Sequence, residues 1–198
     1  MLGLERLTIG YPVYAFGAES LGQTMMYPDD QAPGSDPGRP LVTIDGWRDI
    51  PGYDPDSEVA RVIRETLAAT GQITGIDPVA HLPAPYSFAA EIFGQEHLLN
   101  ALSSEPDTVR ELLAHLADVV LVPWCADLVA KVPNVWLELS DASGSPMFIG
   151  PRNFLSFVVE PVRRLVGRHD WGDRVFVANY RGASPGGAGG GGGPGGRG

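Results

Sequence analysis

Cysteine is almost absent from this chain: Cys125 is the only one in 198 residues. A single cysteine forms no internal disulfide and builds no thiolate metal cluster, which excludes disulfide scaffolds and zinc-finger modules. Cys125 reads as a small buried hydrophobe in a reduced protein; a catalytic thiol would need a paired base, and none is visible nearby. Positive charge is also scarce. Fourteen Lys and Arg stand against 24 Asp and Glu, giving a net charge of −10 and a pI near 4.7. Phosphate backbones and anionic lipid surfaces are repelled by such a chain, so nucleic acid and membrane are not expected as partners. An anionic small-molecule substrate needs only a few local cations and stays open. No stretch reaches the roughly 18 uninterrupted apolar residues of a membrane span. The candidate at Ala117–Val122 is far too short. The start, Met1-Leu2-Gly3-Leu4-Glu5-Arg6, lacks the basic region and apolar run of a signal peptide. The expectation is a cytoplasmic protein.

A substantial core is present: 43% of the residues are hydrophobic, enough for one globular domain. Residues 183–198, ASPGGAGGGGGPGGRG, hold 10 of the 26 glycines. With no apolar side chain beyond alanine and proline, this tail cannot offset its ordering entropy and is expected to be disordered. It comes after a strand with no closing helix, which suggests a truncated or frame-shifted end. Two further loops, Pro28–Pro40 and Ile50–Asp56, are rich in Pro, Gly and Asp.

Between the loops, helix and strand signals alternate. Ala15–Gln23 is a short helix candidate. Ser57–Thr70 keeps Val59, Val62, Ile63 and Leu67 on one helical face, with Asp56 or Ser57 to cap it and Gly71 to end it. Ile73–His81 reads as a strand, and Ser87–Leu102 as a helix weakened by Gly94. Ser104-Glu105-Pro106-Asp107 forms a helix start with Ser104 as cap. The helix it opens, with Val109, Leu112, Leu113, Leu116 and Val120 as its buried stripe, runs toward Lys131 and is kinked or broken at Pro123. Val135–Leu139 is a strand, Pro151–Val166 a helix split by Pro161, and Arg174–Ala178 a strand. This alternation predicts a parallel sheet with crossover helices, either doubly wound or a barrel.

In such folds the chemistry sits beyond the carboxyl ends of the strands. Those ends read His81-Leu82-Pro83-Ala84-Pro85-Tyr86-Ser87, then Ser140-Asp141-Ala142-Ser143-Gly144, then Asn179-Tyr180-Arg181-Gly182. Several of these pieces resemble segments of the uroporphyrinogen decarboxylase superfamily, in that family's order. The run Pro85-Tyr86-Ser87-Phe88-Ala89-Ala90 with Phe93-Gly94-Gln95-Glu96 is similar to its "Pfs-A…l-G-x-e" segment. Leu99–Leu113 resembles its helix junction, and Leu139–Ser145 its strand-end aspartate segment. Phe148-Ile149-Gly150-Pro151 through Phe154 to Glu160-Pro161 resembles its "isP..F..f..P" helix, and Glu19-Ser20-Leu21-Gly22 a helix of its methyltransferase-like members.

The resemblance implies a TIM-type β/α barrel over residues 1–182. A full barrel takes about 250 residues, so the chain is expected to be a partial, truncated barrel, either an inactive fragment or one completed by a partner chain. It also implies one of two activities. One branch moves methyl groups between a corrinoid, acting as substrate on its carrier protein, and a thiol, using a zinc-activated thiolate. The other decarboxylates the acetate arms of uroporphyrinogen, in porphyrin biosynthesis, without a cofactor. The zinc branch carries His-x-Cys-Gly after a strand. Here Asn179 and Arg181 stand at the two ligand positions, and neither side chain binds zinc. The arginine-rich N-terminal segment of the decarboxylase branch has no counterpart either: Arg6 is isolated, and Arg39 and Arg48 come next.

Four residues are carried forward. Asp141 closes a strand at the active face and matches the family's aspartate, as a catalytic group or as the cap of a turn or helix. His81, at a strand end, is a general acid or base, or a structural histidine. Arg181 could clamp a carboxylate or phosphate and Asn179 could hydrogen-bond substrate, or both are turn and surface residues. His97, His115 and His169 read as structural or exposed. Asp29, Asp30 and Asp36 match no calcium loop, and no phosphate-binding glycine loop is present.

Overall fold

The structure, a computed structural model, describes residues 5–9, 17–30, 33–36 and 38–178. Four parallel strands make the central sheet, in the order β1-β4-β5-β6: β1 is Arg6–Ile9, β4 Asp77–Pro83, β5 Trp136–Ser140 and β6 Val175–Ala178. A two-stranded antiparallel ribbon, β2 (Met25–Met26) with β3 (Gly34–Ser35), lies within the Pro28–Pro40 region and just ahead of it. Every neighbour pair in the main sheet is parallel, so each connection is a crossover, and helices fill the crossovers. The α/β class expected from the alternation is what the structure has. Parallel pairing sets His81 beside Glu138 and Leu82 beside Leu139. The alternating residues Ala80, Leu82, Leu137 and Leu139 join one apolar core with the helices. The opposite face carries Thr8, Asp77, His81, Trp136 and Glu138.

Residues 17–20 are helical (α1). Helix α2, Glu58–Thr74, starts where Ser57 Oγ accepts from the Ala60 N–H. It runs past the expected stop at Gly71 to Gly75, which adopts φ 66° and closes the helix in the left-handed conformation. The strand expected from Ile73 therefore begins only at Asp77. The expected single helix over Ser87–Leu102 is two, α3 (Pro85–Phe93) and α4 (Gln95–Ser104), because Gly94 takes φ 83° and ψ 138° between them. Ser104 does not cap the next helix. It is the last residue of α4, and its hydroxyl donates to the Asn100 carbonyl. Helix α5, Pro106–Leu116, starts instead on Pro106 after Glu105.

Pro123 does not break the chain's longest helix. α5 passes through a π turn, Ala117–Leu121, into α6, Val122–Lys131. Proline has no N–H to offer the carbonyl four residues back, Val119. That carbonyl accepts instead from the Tyr53 N–H at 3.0 Å. The Ile50–Asp56 loop is thus strapped to the helix and held again at its far end: Tyr53 Oη donates to Asp127, which also takes Arg64 of α2 and Lys131. Pro161 sits likewise after a second π turn, Leu155–Val159, between α8 (Pro151–Phe154) and α9 (Glu160–Gly167). Helix α7 is the single turn Pro146–Ile149.

The continuous helix Pro106–Lys131 is long and apolar enough to cross a bilayer by length and composition, which the sequence runs had not indicated. Half of its most apolar stretch is buried against the core, with Leu112, Leu113, Leu116, Leu121 and Leu128 fully enclosed. That is the pattern of the central helix of an α/β domain. Residues 179–198, including Asn179, Arg181 and the glycine-rich tail, lie outside the described residues.

Asp127 is only 7% exposed and binds three partners. Burial pushes its carboxyl up, but hydrogen bonds from Lys131, Tyr53 and Arg64 outweigh this and hold it below the ordinary range. Asp127→Ala strands Arg64 and is expected to cost about 3–5 kcal/mol in urea unfolding, against about 1 kcal/mol for Tyr53→Phe. With a depressed folded value, the wild-type contribution is complete above the unfolded carboxylate range and fades as pH falls below about 4. Equal losses for the two variants would contradict this.

Candidate functional site

Helix α3 opens without a cap of its own. Its N-cap residue is Ala84, which has no side-chain acceptor, and Pro85 occupies the first helical position. The helix is capped from the next strand instead. Asp141, directly after β5, places Oδ1 2.9 Å from the Ser87 N–H and 2.8 Å from the Ser87 hydroxyl, which donates to it. That hydroxyl in turn accepts from the Ser143 N–H at 3.0 Å. Below this knot, the Ala84 N–H donates to the Ser140 carbonyl at 2.7 Å and carries the β4–β5 ladder one residue further. Asp141, Ser87 and Ser143 thereby lock two strand ends and a helix start together.

Gly144 makes the knot possible. A Cβ there would lie 2.4 Å from Val158 Cγ2, 2.9 Å from Asp141 Oδ1 and 3.1 Å from the Tyr86 ring. No side chain fits. Beside it, Tyr86 is fully buried, and its hydroxyl has no hydrogen-bond partner among the described residues; the same holds for Asp141 Oδ2. Two unpartnered polar atoms in one buried cluster form an uncommon arrangement that stands out from ordinary packing.

Electrostatics at Asp141 are a contest between burial and hydrogen bonding. Burial raises the carboxyl; the Ser87 hydroxyl and the N–H groups of Ser87, Gly144 and Tyr86 pull it down. Burial wins, and the carboxyl is pushed up to about 7. Among the described residues no cation lies within ion-pair distance of it. Tyr86 is raised above the usual phenol range by burial first and by the Asp141 charge second. Asp141 is therefore a carboxyl that exchanges its proton near neutrality at a helix N-terminus, where the anion is partly stabilised.

His81 is not at its strand's end. It lies inside β4, two residues before Pro83, on the face away from the helices. Its Nδ1 is 3.2 Å from Glu138 Oε1, and Thr8 Oγ1 donates to Glu138 Oε2 at 3.4 Å. The imidazole is 17% exposed, whereas Glu138 is 1% exposed. Asp141 lies three positions beyond Glu138 along the chain, so His81 and Asp141 stand roughly 10 Å apart along the sheet. Glu138, Thr8, Ser87 and Tyr86 carry the site and were not singled out in the sequence. A glutamate in the middle of the apolar strand VWLEL is the signal by which Glu138 could have been found.

Among the described residues no three His, Cys, Asp or Glu side chains come together to hold a metal ion. Cys125 is buried in α6, with its thiol pushed up to about 12 by burial. The described residues do not fit the thiolate-activating zinc of the methyl-transfer branch.

A parallel sheet with crossover helices, and a polar cluster at the carboxyl ends of its strands, makes an α/β fold consistent with a TIM-like barrel unit. The family model of uroporphyrinogen decarboxylase (URO-D) matches residues 7–178, and the chain belongs to that family. A solved methyltransferase from Methanosarcina mazei superposes with a TM-score of 0.68 at 16% identity, over 83% of this chain and 49% of that one. At that identity the likeness is one of fold. A DNA ligase of Synechococcus sp. (strain JA-2-3B'a(2-13)) is 30% identical over 92 residues, which are 46% of this chain and 12% of the ligase. The chain spans about half the length of the methyltransferase and a small part of the ligase.

Two outcomes test the geometry. Asp141 has a folded value near 7 against about 3.9 unfolded. A raised value means its stabilising contribution is complete below about pH 4, declines as pH rises, and is gone above about 7, a swing on the order of 4 kcal/mol. Asp141→Asn imitates the neutral carboxyl. Relative to wild type, that variant is expected to gain stability steadily between pH 4 and 7; a constant difference across that range would contradict the raised value. Gly144→Ala is expected to destabilise by about 1–3 kcal/mol through forced displacement of Val158 and Asp141, and unchanged urea unfolding would show that the cluster yields.

Proposed function

We propose that the chain is a methyl-transferase-type member of the uroporphyrinogen decarboxylase family, cytoplasmic, which moves a methyl group from a corrinoid substrate to a thiol. The observation that carries this reading is the pair of side chains able to exchange protons, His81 on the helix-free face of β4 and Asp141 just beyond the carboxyl end of the neighbouring β5. The structural likeness to a methyltransferase supports the choice of branch.

The two residues divide the work by reach. A general base must touch the proton it takes, and His81 at 17% exposure is reachable where Asp141 at 2% is closed in. In the proposed transfer the cobalt–carbon bond breaks with both electrons left on cobalt, the sulfur–methyl bond forms, and the thiol proton passes to His81 Nε2. Asp141 Oδ2 holds a polar group of the substrate at the strand end. It donates a hydrogen bond when protonated, as other buried neutral carboxyls do. Asn179 and Arg181, just past β6, are assigned to hold an amide, carboxylate or phosphate of the substrate. A barrel of eight strands needs more than the four described here, and further β/α units, from a partner chain or elsewhere, belong to this reading.

The test is methylcobalamin with a small thiol, followed by the cobalamin spectrum and by thioether formation. His81→Asn is expected to lower kcat by about 10²-fold or more, and Asp141→Ala to raise KM. Release of carbon dioxide from a polycarboxylate tetrapyrrole without any methyl transfer would assign the decarboxylase branch instead.

A further inference from the structure

Tyr86 is the second residue of α3 and is fully buried. In an apolar core phenylalanine fills the same space, and a phenol adds a hydroxyl that costs stability unless it is hydrogen-bonded. Among the described residues this hydroxyl has no partner, and neither has Oδ2 of Asp141, which is 2% exposed. The two side chains meet at one residue. A Cβ on Gly144 would lie 3.1 Å from Tyr86 Cδ1 and 2.9 Å from Asp141 Oδ1. The phenol also feels the Asp141 charge, which adds to burial in keeping it protonated. Both groups stand at the N-terminus of α3, where Asp141 Oδ1 is already taken by the Ser87 N–H and hydroxyl. A helix start therefore carries two enclosed polar atoms that the fold itself does not use.

We propose that the Tyr86 hydroxyl and Asp141 Oδ2 form a two-point hydrogen-bonding site for a single acceptor oxygen of the ligand, from a carboxylate or an amide. A protonated phenol offers its proton to such an oxygen. A carboxyl does the same while it holds its own proton, and the positive end of α3 favours negative charge at the same place. The three effects have one sign. They select an oxygen that accepts and reject an ammonium group. A phenol and a neutral carboxyl acting together stabilise an oxyanion in other proteins. The turn over the pair, Ala142–Gly144, is half-buried at Ala142 and Ser143, so displacement of one turn admits the oxygen. The proposal rests on the reading of Asp141 as the group that holds substrate, and adds to it a second residue and a ligand class.

Carbon-13 NMR of the full chain, labelled at tyrosine Cζ and aspartate Cγ, tests it without activity. Tyr86→Phe and Asp141→Asn assign the two signals. The probes are mercaptoacetate, mercaptoacetamide and 2-aminoethanethiol, added at about pH 6, where Asp141 holds its proton. The carboxylate and the amide are expected to move both signals together, and the amine to move neither. Tyr86→Phe is expected to weaken binding of the first two by about 10-fold. The same variant is expected to raise the urea midpoint, because it removes a hydroxyl that has no partner in the fold. A lowered midpoint would mean that the hydroxyl is bonded internally, and would overturn the proposal. So would unaltered binding in Tyr86→Phe, preferential binding of the amine, or no response of the two signals to any probe. If the probes bind at the pair but methylcobalamin methylates none of them, the site stands and only the choice of reaction falls.

Discussion

The carboxyl of Asp141 at the uncapped start of α3 is the constraint on which the carboxyl edge of the sheet depends. Ala84 and Pro85 can neither cap the helix nor carry its first donors, so the Ser87 N–H must find an acceptor from elsewhere in the chain. The acceptor comes from β5, 54 residues later. One hydrogen-bonded unit therefore fixes the strand end, the helix start and the Ser143–Gly144 turn together. Burial of that unit also moves the carboxyl into the range where it can gain or lose a proton near neutrality. The structural role and the chemical one share a single side chain: Oδ1 holds the fold, and Oδ2 has no partner among the described residues.

A second constraint shapes the rest of the domain. Proline at positions 123 and 161 removes a backbone donor inside a long helix, and in both places the helix answers with a π turn rather than a break. At Pro123 the freed Val119 carbonyl becomes the anchor for Tyr53 and ties the Ile50–Asp56 loop to the helix surface. The long loops of the sequence are thus partly structural, tied through Tyr53 and Asp127 to α2 and α6.

Much of the order was legible in the residues. Apolar spacing placed α2 and α5, Ser57 was the cap it was expected to be, and β5 and β6 fell within a residue of their expected bounds. Asp141 was visible as a polar residue closing an apolar strand. The features that escaped had physical reasons. β1 is only four residues long, and it becomes a strand by pairing with β4 far along the chain. Gly71 and Gly75 are equally good helix stops by type, and only the second takes the left-handed conformation. His81 was expected to close its strand, whereas the ladder accepts Pro78 opposite Leu7 and runs on to Pro83. Glu138 was passed over as part of a strand, and its pairing with His81 is a property of register that no local pattern encodes. Asn179 and Arg181 lie outside the described residues.

The most direct measurement is the ionisation of Asp141 itself. Carbon-13 NMR of the full chain labelled at aspartate carboxyls, with Asp141→Asn to assign the signal, tracks that one group through a pH titration. A midpoint near 7, well above the other aspartates, is expected from a buried carboxyl whose hydrogen bonds do not fully offset its desolvation. A midpoint at or below about 4 would contradict it, and would make Asp141 a helix cap with no proton to exchange near neutrality.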